Sequence, residues 1–277
     1  MSVKTLQELE SFWNEFQGDY ESKLGQTMTI FNYSLIHMMK TKTGNKFLEL
    51  GCGPGLGTLS LFRRLQDEQN YSASITACDL SPLMIECARK RLPDSISLQV
   101  ANNLNLPFEE ASFDRVMAGM NLNLVPEPET MLKEMFRVLK PGGRMGVSVW
   151  GRSEESFALT VFNSACQKLG IEVPSVRSNF HLGTKEALVP IVKSSGFVEI
   201  LAWHSPTVYS ESSAEEYALT LYSAPNRRSL MKTLDKDKQL LLHQTLVNLI
   251  EEKVLDAEEP LQLDGLILVG NKPLTNL

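Results

Sequence analysis

The stretch Phe47-Leu48-Glu49-Leu50-Gly51-Cys52-Gly53-Pro54-Gly55 decides the fold. A short apolar strand, 46–50, runs straight into three glycines, and a helical pattern begins near Gly57. Glycines at such a strand-to-helix turn let backbone pass close to a ligand. The next apolar run, 73–79, closes on Asp79, a carboxylate placed at a strand end where it can accept ribose hydroxyls. The pair reads as a nucleotide-type site. A dinucleotide fingerprint, Gly-x-Gly-x-x-Gly, needs glycine at position 56, and this chain has Leu56 there.

Outward from this stretch the pattern alternates. Strand 46–50 precedes a helix near 57–66. Strand 74–79 precedes a helix over 82–91, with Ser81 as N-cap and Pro82 at the first helical position. Strands follow at 96–100 and 113–120, then a helix over 128–139, a turn at Pro141-Gly142-Gly143, and a strand over 144–150. Strands alternating with helices predict a doubly wound α/β fold, a mostly parallel sheet with helices on both faces. Two helices precede it. Residues 5–16 place Leu6, Leu9, Phe12, Trp13 and Phe16 on one stripe, a core pattern, and Gly18 is expected to end that helix. Residues 28–39 form the second.

After Trp150 the rhythm changes. Helices are expected over 154–169 and 185–195, the latter closed by Gly196, with an irregular stretch at 170–183 between them. A strand over 198–208 is followed by helices over 213–222 and 230–255, a turn at Ala224-Pro225-Asn226, and a last strand over 262–270. The segments 154–183 and 210–259 read as insertions over the mouth of the sheet.

Bulk properties bound the function. The chain has 277 residues, 43% hydrophobic and 22% charged, with a net charge of −6. That acidity disfavours nucleic acid and anionic membrane surfaces as partners. Cys52, Cys78, Cys87 and Cys166 show no Cys-x-x-Cys spacing, so no metal site is expected. Reduced, packed thiols and the lack of a secretory pattern or membrane span point to the cytoplasm.

Five blocks together resemble class I S-adenosylmethionine-dependent methyltransferases, in the branch similar to the ubiquinone and menaquinone C-methyltransferases. They are Leu48 to Gly55; Asp79-Leu80-Ser81-Pro82-Leu83-Met84; Leu106 to Asp114; Val138-Leu139-Lys140-Pro141-Gly142-Gly143; and Ser148-Val149-Trp150-Gly151. The resemblance implies a seven-stranded Rossmann-like sheet with helical lid insertions. It implies a helical lid at 1–40, a cofactor-binding core at 41–151, and remaining strands with substrate-lid insertions at 152–277, all in one domain. It further implies S-adenosylmethionine as cofactor, S-adenosylhomocysteine as product, and no metal.

Roles carry over by position. Gly51, Cys52, Gly53 and Gly55 resemble the loop under the methionine part, and Glu49 the acid that orders it. Asp79 resembles the ribose acceptor and Leu80 a wall of the adenine slot. Asn102 and Asn103 stand where the family often has Asp-Ala, and Asn102 retains an amide oxygen for the adenine amino group. Leu104 is expected to close the other adenine face. Met120 is expected to offer its carbonyl to the cofactor's ammonium. Tyr20, Asn121, Asn123, Trp150 and His181 are candidates for the substrate pocket, with Tyr20 and His181 the candidates for catalysis. Trp150 reads equally as a core cover. His37 and His243 read as surface or packing residues, and Asp114 as structural.

The leading expectation is methyl transfer to a small organic C-, O- or N-acceptor by a monomer or homodimer. No Asn-Pro-Pro-Tyr follows the fourth strand, where Gly119-Met120-Asn121-Leu122 stands, which disfavours amino-methylating nucleic-acid and glutamine enzymes. Methylation of a protein or tRNA side chain, and a non-catalytic cofactor-binding subunit, are the alternatives.

Overall fold

The structure is a computed structural model that describes residues 3–174, 176–209, 213–256 and 258–274. Seven strands form one sheet: β1 (Lys46–Leu50), β2 (Ser74–Asp79), β3 (Ser97–Val100), β4 (Phe113–Ala118), β5 (Leu139–Trp150), β6 (Val198–Val208) and β7 (Gln262–Asn271). Their order is β3-β2-β1-β4-β5-β7-β6. Neighbours from β3 to β5 pair in parallel, and β7 runs antiparallel to both β5 and β6. The order reverses between β1 and β4, so a crevice opens beyond their carboxyl ends.

Ten α-helices stand among the described residues: α1 (Leu6–Asp19), α2 (Gly25–Met38), α3 (Leu56–Asp67), α4 (Pro82–Arg91), α5 (Pro128–Val138), α6 (Phe157–Lys168), α7 (Lys185–Ser194), α8 (Ala214–Leu221), α9 (Pro225–Thr233) and α10 (Lys236–Glu251). Alternation along the strands sends Val116, Leu266 and Leu268 into one face and Met117, Ile267 and Val269 into the other. The first face packs on Met131, Leu132 and Met135 of α5 and Leu188 and Val192 of α7. The second packs on Leu35 and Ile36 of α2, on Met39 just past it, and on Leu61 and Leu65 of α3. Each such buried side chain contributes roughly 1.5–3 kcal/mol. A third cluster joins Met28 and Phe31 of α2 to α6, α8 and α10 through Phe162, Tyr217 and Leu246. No helix among the described residues is long and apolar enough to cross a membrane.

Four expectations change. Gly18 does not end the first helix: α1 runs to Asp19 and passes through one π-turn, Tyr20–Leu24, into α2. A helical glycine costs about 1 kcal/mol relative to alanine, and the burial of Leu9 and Phe16 outweighs it. Pro141-Gly142-Gly143 is a bulge within β5, not a turn before it, because pairing jumps from Phe113–Leu139 to Arg115–Arg144. The turn at 224–226 instead opens α9, with Pro225 at its start. The long helix at 230–255 splits, since the Asp235 side chain accepts from the Lys238 N–H and caps a new helix, α10. The insertion expected at 210–259 begins on residues 210–212, which lie outside the described residues, as does residue 257.

Candidate active site

A cleft with about 930 Å³ of empty space, part of it open to solvent, lies at the β1/β4 reversal. Its floor is the glycine loop. Gly51 and Gly53 both have left-handed backbone, with φ of 67° and 53°. A methyl group on Gly51 would overlap the Asn121 amide, whereas one on Gly53 would meet nothing nearer than Tyr20 Cε1 at 4.0 Å. The loop therefore turns at Gly51 and leaves open space over Gly53.

Asp79 braces this loop. Its Oδ2 accepts the Gly53 N–H at 2.8 Å and its Oδ1 the Ser81 N–H at 2.9 Å. Each oxygen keeps a further lone pair, and the side chain lines the cleft. Burial pushes its carboxyl up, against the pull of those N–H groups. Glu49 is also buried and lines the cleft. It accepts the Thr58 hydroxyl at 2.5 Å, so it ties β1 to the first turn of α3 and makes no bond to the glycines. Burial pushes its carboxyl up to about 7, the Thr58 bond opposes this, and Asp79 adds to it.

The far wall comes from the ends of β2, β3 and β4 and from α4. Leu80, Met84, Asn102, Asn103, Met120 and Asn121 line the cleft. Asn102 Oδ1 accepts the Leu104 N–H at 2.9 Å, and Asn103 Nδ2 donates to Asn121 Oδ1 at 2.9 Å. Met120 has left-handed backbone (φ 51°), and its N–H donates to Ser148 Oγ at 3.0 Å. Cys52 lies in the floor with a thiol pushed up by burial and by Asp79 and Glu49.

The roof comes from the first two helices. Leu6, Leu9, Trp13 and Tyr20 face the cleft with Met28 and Asn32 of α2. Trp13 is therefore a cleft wall rather than core, while Phe16 is buried. Tyr20 stands at the π-turn, edge-on to Trp13 at 5.5 Å. Burial, then Asp79 and Glu49, push its phenol far above the ordinary range, so the hydroxyl stays protonated.

Other expected residues lie elsewhere. Leu104 packs against the core beside β4 and does not line the cleft. Trp150 is buried edge-on to Phe31 at 5.9 Å. Asn123 is buried and donates to the Asn179 carbonyl at 3.1 Å. His181 bonds the Ser178 carbonyl at 2.8 Å through Nδ1, and burial lowers its pKa. The reason is shared: the crevice follows β1 and β4, whereas Trp150 ends β5, and Asn123 and His181 sit in loops that pack on each other's neighbours. His204 points at buried Asp264, 2.7 Å away, which also binds Arg152 at 3.1 Å. The spacing along the chain gave no sign of that cluster. Among the described residues no three His, Cys, Asp or Glu side chains are grouped as a metal site requires.

Residues 48–147 match the family described as a methyltransferase domain. The demethylmenaquinone methyltransferase of Lactococcus lactis subsp. lactis (strain IL1403) is 33% identical over 146 residues, covering 50% of this chain and 56% of that protein. Methyltransferase GfsG of Streptomyces halstedii is 29% identical over 175 residues, covering 61% and 58%. The chain thus spans about half the length of the curated relatives it matches. The crystal structure of the [4+2]-cyclase SpnF has the same fold along 99% of both chains, with a TM-score of 0.61 at 18% identity. Residues 48–147 are thus a methyltransferase domain, set in a fold and around a glycine loop similar to those of class I S-adenosylmethionine-dependent methyltransferases. That segment is similar to the menaquinone C-methyltransferase branch.

Proposed function

We propose that the chain binds S-adenosylmethionine in this cleft and passes its methyl group to a small organic acceptor held under α1 and α2. One observation carries the reading. Among the described residues, those lining the cleft include Glu49 and Asp79 but no Lys, Arg or His. Two carboxyls without a counter-cation suit a sulfonium ligand and repel a pyrophosphate. They also argue against a nucleic-acid acceptor, which needs basic side chains. The apolar roof residues Leu6, Leu9 and Trp13, with Leu124 and Val125 opposite, suit a small, largely apolar acceptor.

In this reading Asp79 accepts the ribose hydroxyls while holding the Gly53 turn. Leu80 and Met84 flank the adenine, with Asn102 and Asn103 at its edge. Gly51, Cys52, Gly53 and Gly55 run under the methionine part, and the Met120 carbonyl faces its ammonium. Tyr20 covers the reacting atoms from above, and its protonated hydroxyl orients the acceptor. Residues 1–40 and the two late insertions act as the lid, and 41–151 as the cofactor-binding core. When bound, the cofactor supplies a methyl group on cationic sulfur, whose departure leaves a neutral thioether. The chain's own contribution is positioning and exclusion of water, and well-oriented reactants recover ~7–11 kcal/mol of barrier.

The SpnF fold shows that this scaffold also serves a cyclase. Binding alone therefore does not establish transfer, and the experiment must read both. Purified chain incubated with methyl-labelled S-adenosylmethionine and a cell extract should label the small-molecule fraction. Label in protein or RNA would replace the acceptor class. Binding without transfer would favour a non-catalytic role. Asp79→Asn, which turns an amide N–H toward one backbone N–H, should weaken cofactor binding by about 100-fold; unchanged affinity would remove Asp79 from the site.

A further inference from the structure

Asn32 is a polar residue on a helix that otherwise buries apolar side chains. It is only 9% exposed and lines the cleft. Two glycines from separate elements make room for its amide. A methyl group on Gly57, in the first turn of α3, would fall 2.8 Å from Nδ2 and overlap Glu49 Oε1. One on Gly119, just past β4, would overlap Oδ1. The amide therefore sits against the β4 side of the floor, beside the Glu49 carboxyl and across the β1 loop from Asp79.

Its Oδ1 is buried and has no donor among the described residues. Such an acceptor is destabilising unless something donates to it. The nearby floor donors are engaged: the Thr58 hydroxyl by Glu49, the Gly53 N–H by Asp79, and the Met120 N–H by Ser148. A donor on a bound ligand would satisfy Oδ1. With the ribose at Asp79, the ligand group that reaches the β4 side is the amino-acid end. Of its two charged groups, the carboxylate only accepts and is repelled by Glu49, whereas the ammonium has three N–H donors. Resting on the cofactor reading above, we propose that Asn32 Oδ1 accepts a hydrogen bond from the α-ammonium of the bound cofactor, making α2 part of the cofactor site as well as its cover.

Calorimetric titration of the full chain with two probes tests this. S-adenosylhomocysteine carries the ammonium; 5′-methylthioadenosine keeps the nucleoside and thioether but lacks it. Asn32→Leu should weaken S-adenosylhomocysteine by about 10- to 100-fold, the range of a charge-assisted bond, and leave methylthioadenosine within about threefold. Asn32→Asp, which keeps an acceptor, should retain S-adenosylhomocysteine binding. Equal weakening of both probes would reduce Asn32 to a structural role and overturn the proposal, as would no change for S-adenosylhomocysteine. If Asn32→Leu fails to fold, Asn32→Ala carries the same comparison. Wild-type chain that binds neither probe would overturn the cofactor reading itself, a result distinct from failure of Asn32 alone.

Discussion

The floor and the roof of the cleft are built by different physics. The floor is held by backbone: left-handed glycines, and a carboxylate that takes N–H groups from the loop and from the cap of α4. The roof is held by side chains. Arg228 pairs with Asp19 at 3.0 Å and Glu15 at 3.1 Å, Asn14 accepts from Ser81, and the Trp13, Phe16 and Tyr20 rings pack on one another. Arg91 joins the two, donating to the Pro54 carbonyl in the floor and to Glu21 at the π-turn. Backbone geometry tolerates almost no substitution, whereas partly exposed ion pairs are worth little each. A rigid floor under a weakly held cover is what a site needs if ligands must enter an enclosed space.

The largest effect is expected where the floor is most constrained. Gly51→Val would force a branched side chain into left-handed backbone and into the Asn121 amide. Strain at such a position costs ~1–3 kcal/mol before the overlap is counted. A clear drop in melting temperature and loss of S-adenosylhomocysteine binding in calorimetry are expected. A variant that binds normally would mean the floor is as forgiving as the roof.

Glu49 sharpens the comparison because it faces both layers. Its folded carboxyl titrates at about 7 against an ordinary 4.5. Between those values the folded chain keeps a proton that the unfolded chain has released. This contribution is fully present below about pH 4.5 and is lost as pH rises through about 7, by an amount of order 3 kcal/mol. Asp79, also pushed up, acts in the same direction. Chemical denaturation of the ligand-free chain from pH 5 to pH 8 should show this decline, and Glu49→Gln, which still accepts from Thr58, should flatten it. A cationic ligand favours the carboxylate, so wild-type affinity for S-adenosylmethionine should rise over the same window. A slope that survives Glu49→Gln would assign the titration to another group.

The same division governs what the sequence discloses. The floor was legible because its chemistry is packed into short local motifs: Glu49 to Gly55 on one turn, and Asp79 to Pro82 on another. The seven strands were legible for a related reason, since each is a short run rich in apolar residues, such as Phe47-Leu48-Glu49-Leu50, bounded by turn residues. The roof was not. Trp13 lies on an apolar stripe whose cleft-facing members read the same as its buried ones. Asn32 acquires meaning only from glycines far along the chain that meet its amide. Arg152, Asp264 and His204 join three chain segments that no local period connects. Leu104 failed in the opposite way: its position followed from the motif, but Asn102 turns its own amide onto the Leu104 N–H and the side chain goes to the core.

The smallest effect is expected at the roof. Arg228 is about one-third exposed, and Glu15 is more than half exposed. Water and salt screen such pairs, so Arg228→Ala should cost no more than about 1 kcal/mol. The loss should fall on the hold of α9 over α1, not on the sheet. Thermal stability should therefore barely move, while the off-rate of S-adenosylhomocysteine rises by up to about fivefold, the kinetic equivalent of that energy. Stopped-flow measurement at low and high salt separates this from a packing effect, because high salt should bring the wild-type off-rate toward that of the variant. An off-rate that moves as far as binding does in Gly51→Val would erase the distinction between the layers. One that ignores both salt and the substitution would place the hold on the cover in the aromatic packing of Trp13, Phe16 and Tyr20 instead.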